Sequence, residues 1–342
     1  MIDWVRVILP FVHIPVNAGV VVSMDEDGQV EWQTPKRKMA TGSYDKRISI
    51  KSVGGDGYGY ATHLWVSGNP SKFLQGHNVF GSDDLVSLVY DTFLVICKQF
   101  NFKPSSIETA MIRAGGYAFG MVDINYSFEL RTRADVISFI RAMEFKANTR
   151  HGRPTTKGGT LYFGKNSTRW AIKLYGKADE IETKTGQIPE PLTNKGIELW
   201  AENKLRVELR LYGKELEKLE LTLGQHFSLE AVQNVFNDYL SRIQMTDQIQ
   251  LSIEETNNLS NKLVATYTLW NEGHDLRNMM SKATYYRQRK ALMEYGINID
   301  LMPCKASTTN VVPMFRILEA KAATIPQWAF ANNLIHPSAR SA

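Results

Sequence analysis

The apolar positions of the chain change phase along its length. Short β-prone segments at 31–34, 47–51 and 60–66 are separated by Gly, Ser and Asp clusters and predict strands. Asn69 ahead of Pro70 predicts a helix start and Gly76 its stop, giving a short helix that ends at Gln75. Residues 83–100 predict a longer helix whose inward stripe is Leu85, Val86, Val89, Tyr90, Phe93, Leu94 and Cys97. Residues 133–145 predict another, with Val136, Ile137, Ile140 and Met143 inward.

Three later segments alternate with period two. At 121–128, Val122, Ile124, Tyr126 and Phe128 share one face, and Asp123, Asn125 and Ser127 the other. At 170–175, Trp170, Ile172 and Leu174 oppose Lys173 and Tyr175; at 205–211, Leu205, Val207, Leu209 and Leu211 oppose Arg206, Glu208 and Arg210. If the three lie in one sheet, helices cover its apolar side and the other side is an open face of Asp, Lys, Tyr, Glu and Arg. Residues 160–175 predict a hairpin around the polar turn 165–168. Helices are expected at 227–245 and 256–272, then a helix-turn-helix over 276–295. The expectation is an α+β domain over 1–215, mainly an antiparallel sheet backed by helices. A helical domain over 216–330 and a loosely held tail over 331–342 follow it.

Composition narrows the class. With 342 residues, 43% hydrophobic and 22% charged, the chain is a folded protein of about two domain lengths. Its apolar runs fall short of the roughly 20 residues a bilayer requires, so no membrane helix is expected. Asp3 and Arg6, ahead of the first apolar run, do not read as a secretory signal. Cys97 and Cys304 are too few and too far apart for a disulfide framework or a zinc cluster. The net charge of +5 is unevenly spread: residues 141–177 hold nine bases and one acid, 178–260 hold fifteen acids against eight bases, and 275–290 hold five bases and one acid. Two basic patches around an acidic spacer suit a polyanion, although basic runs also form solvated faces.

Tyr175 is the residue whose setting suggests chemistry. A phenol with a pKa near 10 is a poor nucleophile unless cations or a metal-polarised target assist it. Lys173 and Lys177 flank it at two residues, and Asp123 and Glu208 could hold a hard divalent ion on a phosphate oxygen. Attack on a DNA phosphodiester would leave a 5′-phosphotyrosine and a free 3′-hydroxyl. Taken singly, a strand tyrosine is more often half-buried structure, and a Glu between two Arg more often a surface ion pair. In the helix-turn-helix, Tyr285, Arg287, Gln288 and Arg289 would face a DNA groove; otherwise the pair is a helical hairpin with a basic face. No Gly-x-x-x-x-Gly-Lys-Ser/Thr loop is present, which disfavours a nucleotide-driven helicase.

Several strings carry a family likeness. The longest is Asn69-Pro70-Ser71-Lys72-Phe73-Leu74-Gln75-Gly76-His77-Asn78-Val79-Phe80-Gly81, with Met1-Ile2-Asp3, Gly42-Ser43-Tyr44-Asp45 and Lys173-Leu174-Tyr175-Gly176-Lys177 beside it. Over about residues 1–221 the chain resembles the filamentous-phage replication initiators, the gene II protein family of rolling-circle nickases, and more distantly the plasmid initiators. The resemblance implies an HUH-endonuclease-like nickase core, with Tyr175 as nucleophile and Lys177 as its basic neighbour. It implies that Asp123 and Glu208 are ligands for Mg2+ or Mn2+, and that the displaced strand is rejoined after nicking. The His-apolar-His metal pair of most such nickases is missing, with His63 and Trp65 on the comparable strand. His77 is a third ligand, a DNA contact, or a residue that fixes its own turn. Arg150, Arg153, Lys157, Lys165, Arg169 and Lys173 are candidate DNA contacts. The implied partners are supercoiled and single-stranded origin DNA, a host helicase and a host DNA polymerase in the bacterial cytoplasm, and the resemblance allows for oligomers on DNA. The alternative from another class is a non-enzymatic origin-binding protein or repressor.

Overall fold

The computed structural model describes residues 1–149, 154–183, 186–193, 195–245, 259–295 and 322–337, with Gly152, Ile297 and Ile299. Arg150, Arg153, Cys304 and the first three residues of the helix expected at 256–272 lie outside the described residues.

The chain opens with β1 (Ile2–His13), a ribbon of β2 (Val20–Met24) and β3 (Val30–Pro35), then β4 (Lys38–Thr41), β5 (Arg47–Val53) and β6 (Ala61–Gly68). Helices α1 (Pro70–Gln75), α2 (Leu85–Phe100) and α3 (Ser106–Arg113) lead to the long β7 (Ala118–Glu129) and to α4 (Arg133–Lys146). Next come β8 (Ala147–Asn148), β9 (Thr155–Lys157), β10 (Thr160–Phe163) and β11 (Trp170–Gly176), and then α5 (Lys177–Ile181), α6 (Glu190–Thr193) and α7 (Ile197–Ala201). β12 (Lys204–Tyr212), α8 (Gly213–Lys218), α9 (Leu229–Ser241) and β13 (Gln244–Met245) complete the sheet region.

Nine strands form one sheet in the order β4-β5-β6-β1-β7-β12-β11-β10-β9. Every neighbouring pair in it is antiparallel. The helix ends follow from their capping residues. Asn69 accepts from the Lys72 N–H, Pro70 occupies the first turn, and Gly76 ends α1 with φ +89°, a left-handed value that suits glycine. Thr132 and Asp135 form a reciprocal capping box on α4.

The apolar side of the sheet carries the main core. Val122, Ile124, Ile172, Leu174, Val207 and Leu209 are buried there against Leu88, Phe93 and Ile96 of α2, Val136 and Phe139 of α4, and Phe236 and Tyr239 of α9. On α2 the inward stripe is Leu85, Leu88, Val89, Thr92, Phe93, Ile96 and Cys97, so the expected stripe is rotated. Leu94 is exposed and Val86 and Tyr90 are half-buried. This helix is apolar over most of its circumference, so periodicity alone fits two adjacent stripes. On α4, Phe139 takes the inward place expected of Ile137.

The same core takes in Leu216, Leu221, Phe227, Val232, Leu240 and Ile243. The boundary expected at 213–224 therefore falls inside one packed unit, because α8 and α9 turn back onto the sheet. Helices Asn261–Asn271, Leu276–Met279 and Lys282–Glu294 gather around their own cluster of Leu259, Tyr267, Trp270, Leu276, Tyr285 and Leu292. Residues 331–337 are not a loose tail. Ala329, Leu334 and Ile335 are buried in a third cluster with Val79, Phe80, Ile181, Leu192 and Ile197. Among the described residues no helix is long and apolar enough to cross a membrane.

Candidate active site

Strand register assembles the polar face. Across β11, β12 and β7, Lys173 stands opposite Glu208 and Glu208 opposite Asn125, while Tyr175 stands opposite Arg206 and Arg210 opposite Asp123. One side of three adjacent strands thus carries the expected set. The face is open only in part. At its Tyr175 end, the buried Arg206 guanidinium donates to the carbonyls of Val79 (2.8 Å) and Asn78 (3.3 Å), and so holds the 76–80 loop across the sheet. What is left is a cleft of about 440 Å³ whose lining includes Asp3, Trp4, Asp123, Tyr162, Tyr175 and Glu208.

Asp3 is the residue that strand alternation misses. Ile2 pairs with Ile124 and Trp4 with Asp123, so β1 carries one extra residue between them and the register shifts there. A bulge re-aims side chains at a sheet's working face. Unbroken alternation would place Asp3 with Val5 and Val7 in the core. Instead, ligand atoms of Asp3, Asp123 and Glu208 all lie within 4.8 Å of one another, and all three residues are buried. Three carboxylates with oxygen donors only suit a hard divalent ion such as Mg2+ or Mn2+. Asp3 Oδ1 accepts from the amides of Asn69 (2.7 Å) and Asn78 (2.8 Å). The Asn69–Gly81 string thus supplies the groups that orient this carboxylate.

The cluster is held by cations on the same face. Arg210 grips Asp123 with two bonds, Nε to Oδ1 at 2.7 Å and Nη2 to Oδ2 at 2.5 Å. Lys173 donates to Glu208 Oε1 in a short ion pair. Burial, with Asp123 beside it, raises the Glu208 pKa even though Lys173 opposes the change. Burial lowers the affinity of Lys173 for its proton, yet Glu208 and Asp123 hold its pKa above the usual value. The Tyr175 hydroxyl lies 3.5 Å from Glu208 Oε2. Burial, and then the Glu208 charge, push the Tyr175 pKa well above that of a free phenol, so the resting side chain is a protonated phenol aimed at the acids.

Lys177 supports this arrangement from below. It is fully buried, donating to Asn78 Oδ1 at 3.0 Å and to Glu180 Oε2 at 2.5 Å, and Asn78 in turn holds Asp3. Burial lowers its pKa to about 8, against the opposing pull of Glu180. His77 does not join the acids. Its Nε2 donates to the Leu334 carbonyl at 2.9 Å, tying the loop to the 322–337 segment, and its Nδ1 accepts from the Val79 N–H at 3.3 Å within the loop itself, so both nitrogens are used. Of the three roles open to His77, these contacts fit the one that fixes its turn, and the side chain stands apart from the group of Asp3, Asp123 and Glu208 that could hold a metal.

Burial lowers the His77 pKa to about 4. An unfolded chain binds this proton near pH 6.5, so the native state binds fewer protons between the two values. The resulting stabilisation is complete above about pH 6.5 and is lost as pH falls towards 4, a change of roughly 3 kcal/mol at most. Thermal unfolding between pH 7 and 4.5 should fall more steeply for the wild type than for His77→Gln, which does not titrate. Parallel profiles would contradict this assignment.

The candidate DNA contacts divide by environment. Lys157 and Lys165 are exposed at the β9–β10 and β10–β11 ends. Arg169 is engaged at 2.5 Å with the buried Glu215, and Lys173 with Glu208. On the helix Lys282–Glu294, Arg287 is exposed and Arg289 half-buried. Tyr285 is buried in its own cluster with Arg277 over its ring, and Gln288 accepts from Thr266 of the neighbouring helix. Both therefore face inward, correcting their expected place at a DNA groove. The signal for Tyr285 was its seven-residue spacing to Leu292, which marks one buried stripe.

Comparison with known proteins agrees along nearly the whole chain. The family model of the N-terminal region of the phage replication-associated protein, the gene II product, matches residues 1–231, and that of its C-terminal region matches residues 251–335. The replication-associated protein of this type from Enterobacteria phage I2-2 is 46% identical, over 99% of this chain and 99% of its own length. The protein of the same description from Salmonella phage IKe is 21% identical, over 82% of this chain and 78% of its own.

Proposed function

The chain belongs to the gene II family of phage replication-associated proteins, and on that premise we propose that it starts replication by nicking one strand of its origin through Tyr175. The observation that carries this reading is the Tyr175 hydroxyl directed at Glu208, in a cleft where Asp3, Asp123 and Glu208 converge.

In the proposed reaction the Tyr175 oxygen attacks the scissile phosphorus and the bond to the 3′ oxygen breaks. The products are a 5′-phosphotyrosine and a 3′-hydroxyl. The phenolic proton passes to solvent along the side of the contact to Glu208, and the departing 3′ oxygen takes up a proton from solvent, so the step balances in protons. Asp3, Asp123 and Glu208 are the residues to hold Mg2+ or Mn2+, which when bound polarises a phosphate oxygen. Lys177 acts through Asn78 to fix Asp3, and Lys173 and Arg210 keep the acids oriented. The phosphotyrosine conserves the bond energy, so attack by a 3′-hydroxyl rejoins the displaced strand without a nucleotide cofactor. The free 3′-hydroxyl would prime a host polymerase, with a host helicase unwinding ahead of it in the bacterial cytoplasm. Lys157 and Lys165 would contact the backbone of single-stranded DNA, and the exposed Arg287 side of the C-terminal helices would bind duplex.

The test is nicking of supercoiled DNA carrying the phage's own origin, titrated with Mg2+ and repeated in EDTA. The reading expects metal-dependent conversion to nicked circles with protein attached to the 5′ end. Tight origin binding with no nicking under either condition would instead favour a non-enzymatic origin-binding protein or repressor.

A further inference from the structure

Two aromatic rings flank the three acids on the polar side of the sheet. Trp4 stands opposite Asp123 in the β1–β7 pairing, and Tyr162 opposite Lys173 in the β10–β11 pairing. Both line the cleft. Four strand intervals separate β1 from β10 in the sheet order, so at about 4.8 Å each the two positions are roughly 19 Å apart. Glu208 lies on β12, the middle strand of that interval, and Asp123 on β7 beside it.

Neither ring serves the core. Trp4 is 38% exposed, and its indole Nε1 donates to Ser67 Oγ at 3.1 Å, which fixes the edge of the ring. Tyr162 is half-buried, with the Lys165 ammonium 5.3 Å from its ring centroid. An exposed cation over a ring is a weak contact of the kind a base and its phosphate can replace. Beside Tyr162 the β9–β10 turn is made by Gly158 and Gly159, where an added Cβ would meet nothing within 4 Å. This leaves a low rim beside Lys157, while Lys165 reaches the Tyr162 ring from the β10–β11 turn.

We propose that Trp4 and Tyr162 are stacking platforms for unpaired bases on opposite sides of the scissile phosphate. This rests on the nickase reading, which places a phosphate at the acids. A stacked strand advances about 3.4 Å per nucleotide, so rings roughly 19 Å apart hold different nucleotides. The strand then crosses the sheet from β1 to β10 with its phosphate drawn to the centre. Duplex DNA buries its base faces and cannot use either ring, so the cleft selects a melted strand.

The test uses Tyr175→Phe as the parent, in EDTA, with a labelled single-stranded oligonucleotide spanning the nick. Trp4→Ala and Tyr162→Ala should each weaken binding about tenfold, whereas Trp4→Phe and Tyr162→Phe should stay within about twofold of the parent. An oligonucleotide abasic at one position on one side of the nick should cancel the effect of Trp4→Ala, and one abasic on the other side that of Tyr162→Ala. The inference is overturned if the folded alanine variants bind like the parent, or if their losses persist on every abasic oligonucleotide. Absence of nicking by the wild type on supercoiled origin DNA in Mg2+ would strike the nickase reading and leave the stacking result standing.

Discussion

Tyr175→Phe is expected to lower nicking of supercoiled origin DNA by roughly a thousandfold or more while leaving its affinity for that DNA within about twofold. The substitution removes one oxygen from a buried ring on β11. Among the described residues that oxygen makes one long contact of 3.5 Å, to Glu208. Phenylalanine fills the same space, so neither the sheet register nor the acid cluster has reason to shift. The chemical loss is large, because phenylalanine has no oxygen with which to attack the phosphorus. Gel assays of nicked product with parallel binding measurements check both halves. A variant that binds and nicks like the wild type would place the nucleophile elsewhere, and equal biological function without any nicking would suit a repressor.

Asp3→Asn is expected to weaken Mg2+ binding by about a hundredfold or more and to lower nicking at limiting Mg2+ in proportion. The change keeps the shape of the side chain, and Oδ1 can still accept from Asn69 and Asn78. It removes one of three negative charges whose oxygens converge within 4.8 Å. Without metal, that convergence is repulsive, so the variant should unfold in EDTA at the same temperature as the wild type or higher. Added Mg2+ should then raise the melting temperature of the wild type only, since a ligand stabilises the state that binds it. Identical Mg2+ midpoints for the two proteins would show that Asp3 is not a ligand.

How much of this was readable from the sequence depends on the period of each element. β7, β11 and β12 alternate cleanly, and their pairing brings Asp123, Glu208, Lys173 and Tyr175 together as the pattern implied. Asp3 broke the pattern, because a single inserted residue in β1 reverses the face of everything before it and leaves no compositional mark. The stripe of α2 was ambiguous, since residues on most of its sides are apolar. Fixing its own turn was one of the roles readable for His77, but its tie to the C-terminal segment was not. It depends on the Leu334 carbonyl, 257 residues away, and no local spacing encodes such a contact. The packing of residues 216–243 onto the sheet is hidden from the sequence for a similar reason. The glycines at 213 and 224 read as a break, but Val232, Phe236 and Tyr239 return their helix to the sheet.

The central claim is that a DNA strand becomes bonded to the phenolic oxygen of Tyr175. It is tested most directly by reacting the wild-type protein with its own origin DNA and Mg2+, trimming the DNA with nuclease, and mapping the nucleotide-bearing peptide by mass spectrometry. The expected result is a single adduct on Tyr175 through a 5′ phosphate, absent when EDTA replaces Mg2+. An adduct on Tyr162 or any other residue, or nicked DNA with no protein attached, would contradict it.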